Sequence, residues 1–135
     1  MFFKQYFLAL FIFIILDALW LGLIAKDFYK QNIGYLMTEN IRWIAAVIFY
    51  LIYIAGIIFF AVSPALKENS LTTAAVYGAI LGFICYATYD LTNLATIKNW
   101  PLKVTIIDLI WGTILTSSVA FLTTYIASRG KFFFK

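Results

Sequence analysis

Apolar residues run along this chain in four long blocks separated by short polar breaks. The blocks cover residues 6–25, 43–62, 71–97 and 104–128. They are apolar on every side rather than along one stripe; Ala45–Val62 carries no charged residue at all. A helix that is apolar all round is either deeply buried or crosses a membrane, and crossing takes roughly 20 residues. The pattern therefore predicts four transmembrane helices. The third and fourth blocks exceed that length and are expected to tilt or to begin outside the hydrocarbon. Spanning strands would alternate apolar and polar residues over about 10 positions, which these blocks do not do.

The breaks carry their own signals. In the longest, 26–42, Tyr29, Ile33, Leu36 and Met37 recur at helical spacing with Lys30, Gln31 and Asn32 between them. That pattern predicts a short helix lying in the interface. Gly34 weakens it, and an irregular loop is the alternative. In loop 2, residues 63–70, Pro64 is expected to stop the second span, and Asn69-Ser70 offers an N-cap for the third. Loop 3, residues 98–103, turns at Trp100-Pro101. The expected fold is all-α: a polytopic membrane protein with four transmembrane helices in one bundle and a short interfacial helix in loop 1. Residues 1–135 read as one integral membrane domain. Lys4 and the first block resemble a signal peptide loosely. Leu23-Ile24-Ala25 lacks the small residue expected three positions before cleavage, so the segment is expected to stay.

Composition agrees. Hydrophobic residues make up 64% of the chain, more than a soluble domain of this length could bury. There is no His and one Cys. No metal site is expected, since Zn²⁺ needs imidazole or several thiolates, and no haem or iron–sulfur cofactor either. An internal disulfide and a Ser-His-Asp or Cys-His arrangement are excluded. Cys85 reads as a small packing residue. The net charge of +4 suits an anionic membrane surface, and the dispersed basic residues do not suggest nucleic acid.

Four spans put loops 1 and 3 on one side and the termini with loop 2 on the other. Lys26, Lys30, Arg42, Lys98 and Lys103 face Lys4, Lys67, Arg129, Lys131 and Lys135, a tie that leaves dual topology open. The basic tail favours termini in the cytoplasm.

Three of the six acidic residues, Asp17, Asp90 and Asp108, fall inside the apolar blocks. A carboxyl there is costly unless it is paired, wetted or protonated, and so marks a candidate site. Asp17 precedes Lys26 by about 13 Å of helix, Asp90 precedes Lys98 by about 12 Å, and Asp108 follows Lys103 by about 8 Å. Half a hydrocarbon core is about 15 Å. All three acids are thus expected in the leaflet facing loops 1 and 3, whichever way the chain inserts. Trp43 and Trp100 fall at that interface.

Asp17-Ala-Leu-Trp20 and Asp108-Leu-Ile-Trp111 share a spacing that puts acid and indole on one helix face. Their helices run antiparallel, so the pair is either an inverted pseudo-repeat of the kind found in transporters or a coincidence of two short motifs. In the third span Gly78, Gly82, Tyr86, Asp90 and Asn93 form one face, and the glycines permit close helix contact. The second span supplies Tyr50 and Tyr53. In the fourth, Asp108, Trp111, Gly112 and Thr116 share a stripe. Together these residues predict a polar, aromatic-walled chamber in one leaflet. Desolvation and mutual repulsion favour a retained proton among its acids.

The runs Leu16-Asp17-Ala18-Leu19-Trp20-Leu21-Gly22, Tyr86 to Thr96 with Trp100-Pro101 following, and Ile107-Asp108-Leu-Ile-Trp111-Gly112 resemble domain-of-unknown-function family 2177 over nearly the whole chain. The resemblance implies a four-helix integral membrane protein of bacteria and assigns no reaction.

Three functional readings follow. The first is binding of a lipid or lipophilic small molecule, with Asp90 and Asn93 at its polar atom, Asp17 and Asp108 as partner acids, and Trp20, Trp111 and the tyrosines around it. Carboxylates alone could add acid–base chemistry at a double bond, though the sequence does not demand an enzyme. The second is a small proton-coupled exporter, which would need a homodimer to form a pathway. The third is a structural membrane protein whose acids act as interhelical glue.

Overall fold

The computed structural model describes residues 2–129. Among these the fold is all-helical apart from its connections, with no strand. Helix α1 (Phe2–Leu19) passes into a π-helical turn at Trp20–Ile24. The loop-1 helix is present as α2 (Lys26–Ile33). It stops earlier than the apolar spacing suggests: Gly34–Leu36 tighten into a 3₁₀ turn and Met37 is extended. Then come α3 (Trp43–Ile57), a π-helical turn at Ile58–Val62, and α4 (Ser63–Glu68). Helices α5 (Leu71–Thr96) and α6 (Leu102–Arg129) complete the chain. Four continuous helical stretches are long and apolar enough to cross a membrane: Phe2–Ile24, Trp43–Glu68, Leu71–Thr96 and Leu102–Arg129. They pack as a bundle.

Pro64 does not end the second span. A proline ordinarily clashes with the carbonyl four residues back. Here the turn before it is wound as a π-helix, and Ser63 N–H bonds the carbonyl of Ile58. The wider turn carries the proline at the start of α4. The helix ends instead at Asn69, which is left-handed with φ of 55°. Ser70 N–H closes the end on Ala65 O at 3.0 Å. The Ser70 hydroxyl then caps α5, accepting from Thr73 N–H at 3.1 Å.

Beside its apolar core the bundle buries polar residues, and it shows many large apolar ones to the outside. Phe7, Ile44, Ile52 and Phe59 are exposed, while Thr105, Thr116, Thr123 and Asp90 are buried. In water that inversion would not hold; in a bilayer, lipid covers the apolar exterior and association rests on close contact and polar pairing. The closest contact is the α5–α6 seam. A Cβ on Gly78 would stand 2.8 Å from the Thr116 carbonyl and 2.9 Å from Ala120 Cβ. One on Gly82 would collide with the Gly112 carbonyl oxygen, and one on Gly112 with the Tyr86 ring. Ser117 Oγ donates to Ala75 O across the seam at 2.8 Å. Opposite it, α1 joins α3 through Phe13, which is fully buried against Tyr50 and Tyr53. Tyr6 O–H adds a bond to Leu51 O at 2.8 Å.

Candidate functional site

The site stands at the end of the bundle that faces loops 1 and 3. Four elements build it, α3 contributing Tyr50, and a fifth covers it. α1 carries Asp17 and, at the entrance to its π-helical turn, Trp20. α5 carries Tyr86 and Asp90, and α6 carries Asp108 and Trp111. α2 lies over them and sends Tyr29 inward.

Each acid has a different environment. Asp17 is half-buried; its Oδ2 accepts from Tyr50 O–H at 3.1 Å and its Oδ1 from the Trp111 indole at 3.4 Å. Asp108 is nearly buried, and its Oδ1 accepts from Tyr29 O–H at 2.5 Å. The Tyr29 hydroxyl in turn accepts from the Trp20 indole at 3.1 Å. Asp90 is fully buried, yet neither carboxyl oxygen has a hydrogen-bond donor among the described residues. Its neighbour is the Asp108 carboxyl, close enough for the two to interact directly. The Asp90 backbone carbonyl is served by Thr105 Oγ at 3.4 Å, which itself accepts from the Trp100 indole at 3.1 Å.

Aromatic rings pack among these acids. Trp20 and Trp111 stack with centroids 4.5 Å apart and planes 9° from parallel. Tyr86 packs on Gly112, within electrostatic reach of Asp17, Asp108, Tyr53 and Tyr29. Its hydroxyl makes no hydrogen bond among the described residues. Burial first, then its bond to Asp108, hold the Tyr29 phenol well above its ordinary range. It is a neutral donor at any ordinary pH.

The structure thus gathers Asp17, Trp20, Tyr50, Tyr86, Asp90, Asp108 and Trp111. Two residues named from sequence make no side-chain hydrogen bond to these acids among the described residues. Tyr53 pairs instead with Thr116 Oγ at 2.7 Å, beside Cys85. Asn93, one turn beyond Asp90, is half-buried and makes no side-chain hydrogen bond among the described residues. Trp100 is buried by the protein itself, and Trp43 is 66% exposed. Two participants went unnoticed in sequence. Tyr29 read only as part of the apolar stripe of loop 1. Thr105 lies three residues before Asp108 on one face of α6, a spacing that could have revealed it. Among the described residues no three His, Cys, Asp or Glu side chains stand close enough to hold a metal ion.

Chemically the arrangement offers carboxyl and phenol groups in a water-poor setting, with one acid unsatisfied. Such groups can accept a donor from a ligand, or pass a proton.

No curated protein and no solved structure matches the chain. The profile of the family described as "Predicted membrane protein (DUF2177)" matches residues 2–125. With that match running from the start of α1 into the last turns of α6, the chain belongs to domain-of-unknown-function family 2177, a family of predicted membrane proteins.

Proposed function

We propose that this protein binds a lipid or lipophilic small molecule by its polar end, at the acid cluster beneath α2. The observation that carries this reading is Asp90, fully buried and without a donor while Asp17 and Asp108 have theirs. An unsatisfied buried polar group costs about 1–3 kcal/mol. A polar atom from a ligand would remove that cost. The stacked indoles offer flat apolar surface beside the cluster, and α2 is its cover. Entry requires Tyr29 to leave Asp108, so α2 and the π-helical turn before it form the gate. Proton transfer to a bound double bond is within the chemistry of these carboxyls, but binding does not depend on it. The basic residues after Ser128 favour termini on the cytoplasmic side of a bacterial inner membrane.

A second reading, proton-coupled export by a homodimer, draws on the direct Asp90–Asp108 contact. Two carboxyls facing each other can hold one proton between them, and displacement of α2 would expose it. A purely structural role suits Asp17, with both oxygens engaged, but leaves the Asp90 carboxyl without a purpose.

Native mass spectrometry with lipid analysis of gently purified protein tests this, wild type beside Asp90→Asn. A defined lipophile held by wild type and lost from the variant supports the binding reading. Nothing specific retained by wild type, with Asp90-dependent proton-linked uptake in proteoliposomes, replaces it with the transport reading.

A further inference from the structure

Resting on the binding reading, we infer that the ligand's polar end is a non-anionic hydrogen-bond donor, an alcohol or a primary amine, rather than a carboxylate or phosphate. The inference comes from counting which groups at the site are already spent. The Trp20 and Trp111 N–H groups are used on Tyr29 and Asp17. The Tyr29 and Tyr50 O–H groups are used on Asp108 and Asp17. Thr105 is occupied with Trp100 and the Asp90 backbone. What is left over among the described residues is mostly acceptor: both oxygens of Asp90, beside the carboxyl of Asp108, against the Tyr86 hydroxyl as the unspent donor of the cluster.

No lysine or arginine pairs with any of the three acids among the described residues. The basic residues of the flanking loops, Lys26, Lys30, Lys98 and Lys103, are all exposed. An anionic head would meet three carboxyls with no cation to offset them, in a medium that strengthens the repulsion. An ammonium would supply the missing countercharge. An alcohol would donate to Asp90 and could accept from Tyr86, whose hydroxyl makes no hydrogen bond among the described residues. Each of these heads answers the unpaired acceptor; a carboxylate could accept from Tyr86 but would leave Asp90 unanswered and add a like charge beside it.

The test titrates dodecanol, dodecylamine and dodecanoate into the full-length protein in mild detergent, read by tryptophan fluorescence, since Trp20 and Trp111 stack beside the site. Dodecanol or dodecylamine is expected to bind saturably, at least about tenfold more tightly than dodecanoate. The stronger of the two names the head. The preference is expected to disappear in Asp90→Asn and to persist in Asp27→Asn, an exposed acid of α2. Should Asp90→Asn not fold, Asp108→Asn carries the same expectation. Dodecanoate binding as tightly as the others, or a preference unchanged in the Asp90 variant, overturns the inference and leaves the binding reading standing. No saturable binding of any probe overturns the inference too. The binding reading itself falls only if wild type also retains no lipophile from the membrane.

Discussion

The indole of Trp111 donates to Asp17 at 3.4 Å, although the acid of its own motif is Asp108. The reverse relation holds through one intermediary: Trp20, which follows Asp17, donates to Tyr29, and Tyr29 donates to Asp108. α1 and α6 run in opposite directions. Trp20 therefore lies nearer the loops than Asp17, while Trp111 lies farther from them than Asp108. The two indoles stack face to face, and each reaches the other helix's acid, Trp111 directly and Trp20 through Tyr29. The opposite directions of the two Asp-x-x-Trp runs allow this exchange of partners. The departure from symmetry is Tyr29, interposed on one side alone.

Tyr29 is expected to hold α2 against the bundle. Tyr29→Phe removes the donor on Asp108 and the acceptor of Trp20, and should lower stability by about 0.5–1.5 kcal/mol. The four spans should keep their helicity. Trypsin should cut faster at Lys26 and Lys30, which are exposed on α2. Wild-type cleavage rates in the variant would mean that α2 is held by something else.

The same residue gives a signature at high pH. Burial and the Asp108 acceptor raise the phenol above its ordinary value of 10.0. Below that value both folded and unfolded chains carry the proton, and the contribution is constant. Above it the unfolded chain loses the proton first, so unfolding is favoured as pH rises. Wild type should thus lose thermal stability above about pH 10 more steeply than Tyr29→Phe. Parallel curves in a melting series would remove Tyr29 as the source.

The glycines separate into two kinds. Gly82→Ala and Gly112→Ala force a methyl into backbone or ring across the α5–α6 seam. Each should cost about 1–3 kcal/mol. Gly22 and Gly56 have nothing within 4 Å of an added Cβ. Their alanine variants should be neutral, or stabilising by up to about 1 kcal/mol through helix propensity. Melting temperatures in detergent decide this, and equal effects at all four positions would contradict the seam.

Asp17 and Asp90 should respond oppositely to loss of charge. Asp17→Leu strands the Tyr50 and Trp111 donors and should destabilise by about 1–3 kcal/mol. Asp90→Leu removes a buried carboxyl that has no donor, and should be neutral or stabilising. Stability in denaturant titrations would show the order. If Asp90→Leu proves the more damaging, Asp90 has a structural partner and its place in the binding reading is lost.

The four spans and the helix in loop 1 were legible in the amino-acid order, because length, apolar content and helical period are properties of single segments. So was the presence of acids beside indoles, since Asp17-Trp20 and Asp108-Trp111 each lie on one turn. The helix through Pro64 was not legible, because it depends on a π-helical turn whose spare residue absorbs the clash. Neither was the division of labour among the acids. Which donor meets which carboxyl depends on how far each helix is rotated about its axis and how closely its neighbour approaches. The seam at Gly78, Gly82 and Gly112 sets that approach. It brings Asp90 beside Asp108, draws Tyr53 to Thr116, and leaves the Asn93 side chain without a hydrogen bond among the described residues. Tyr29 reaches Asp108 from 79 positions away in the chain, a separation at which local pattern carries no information and only the packed bundle decides.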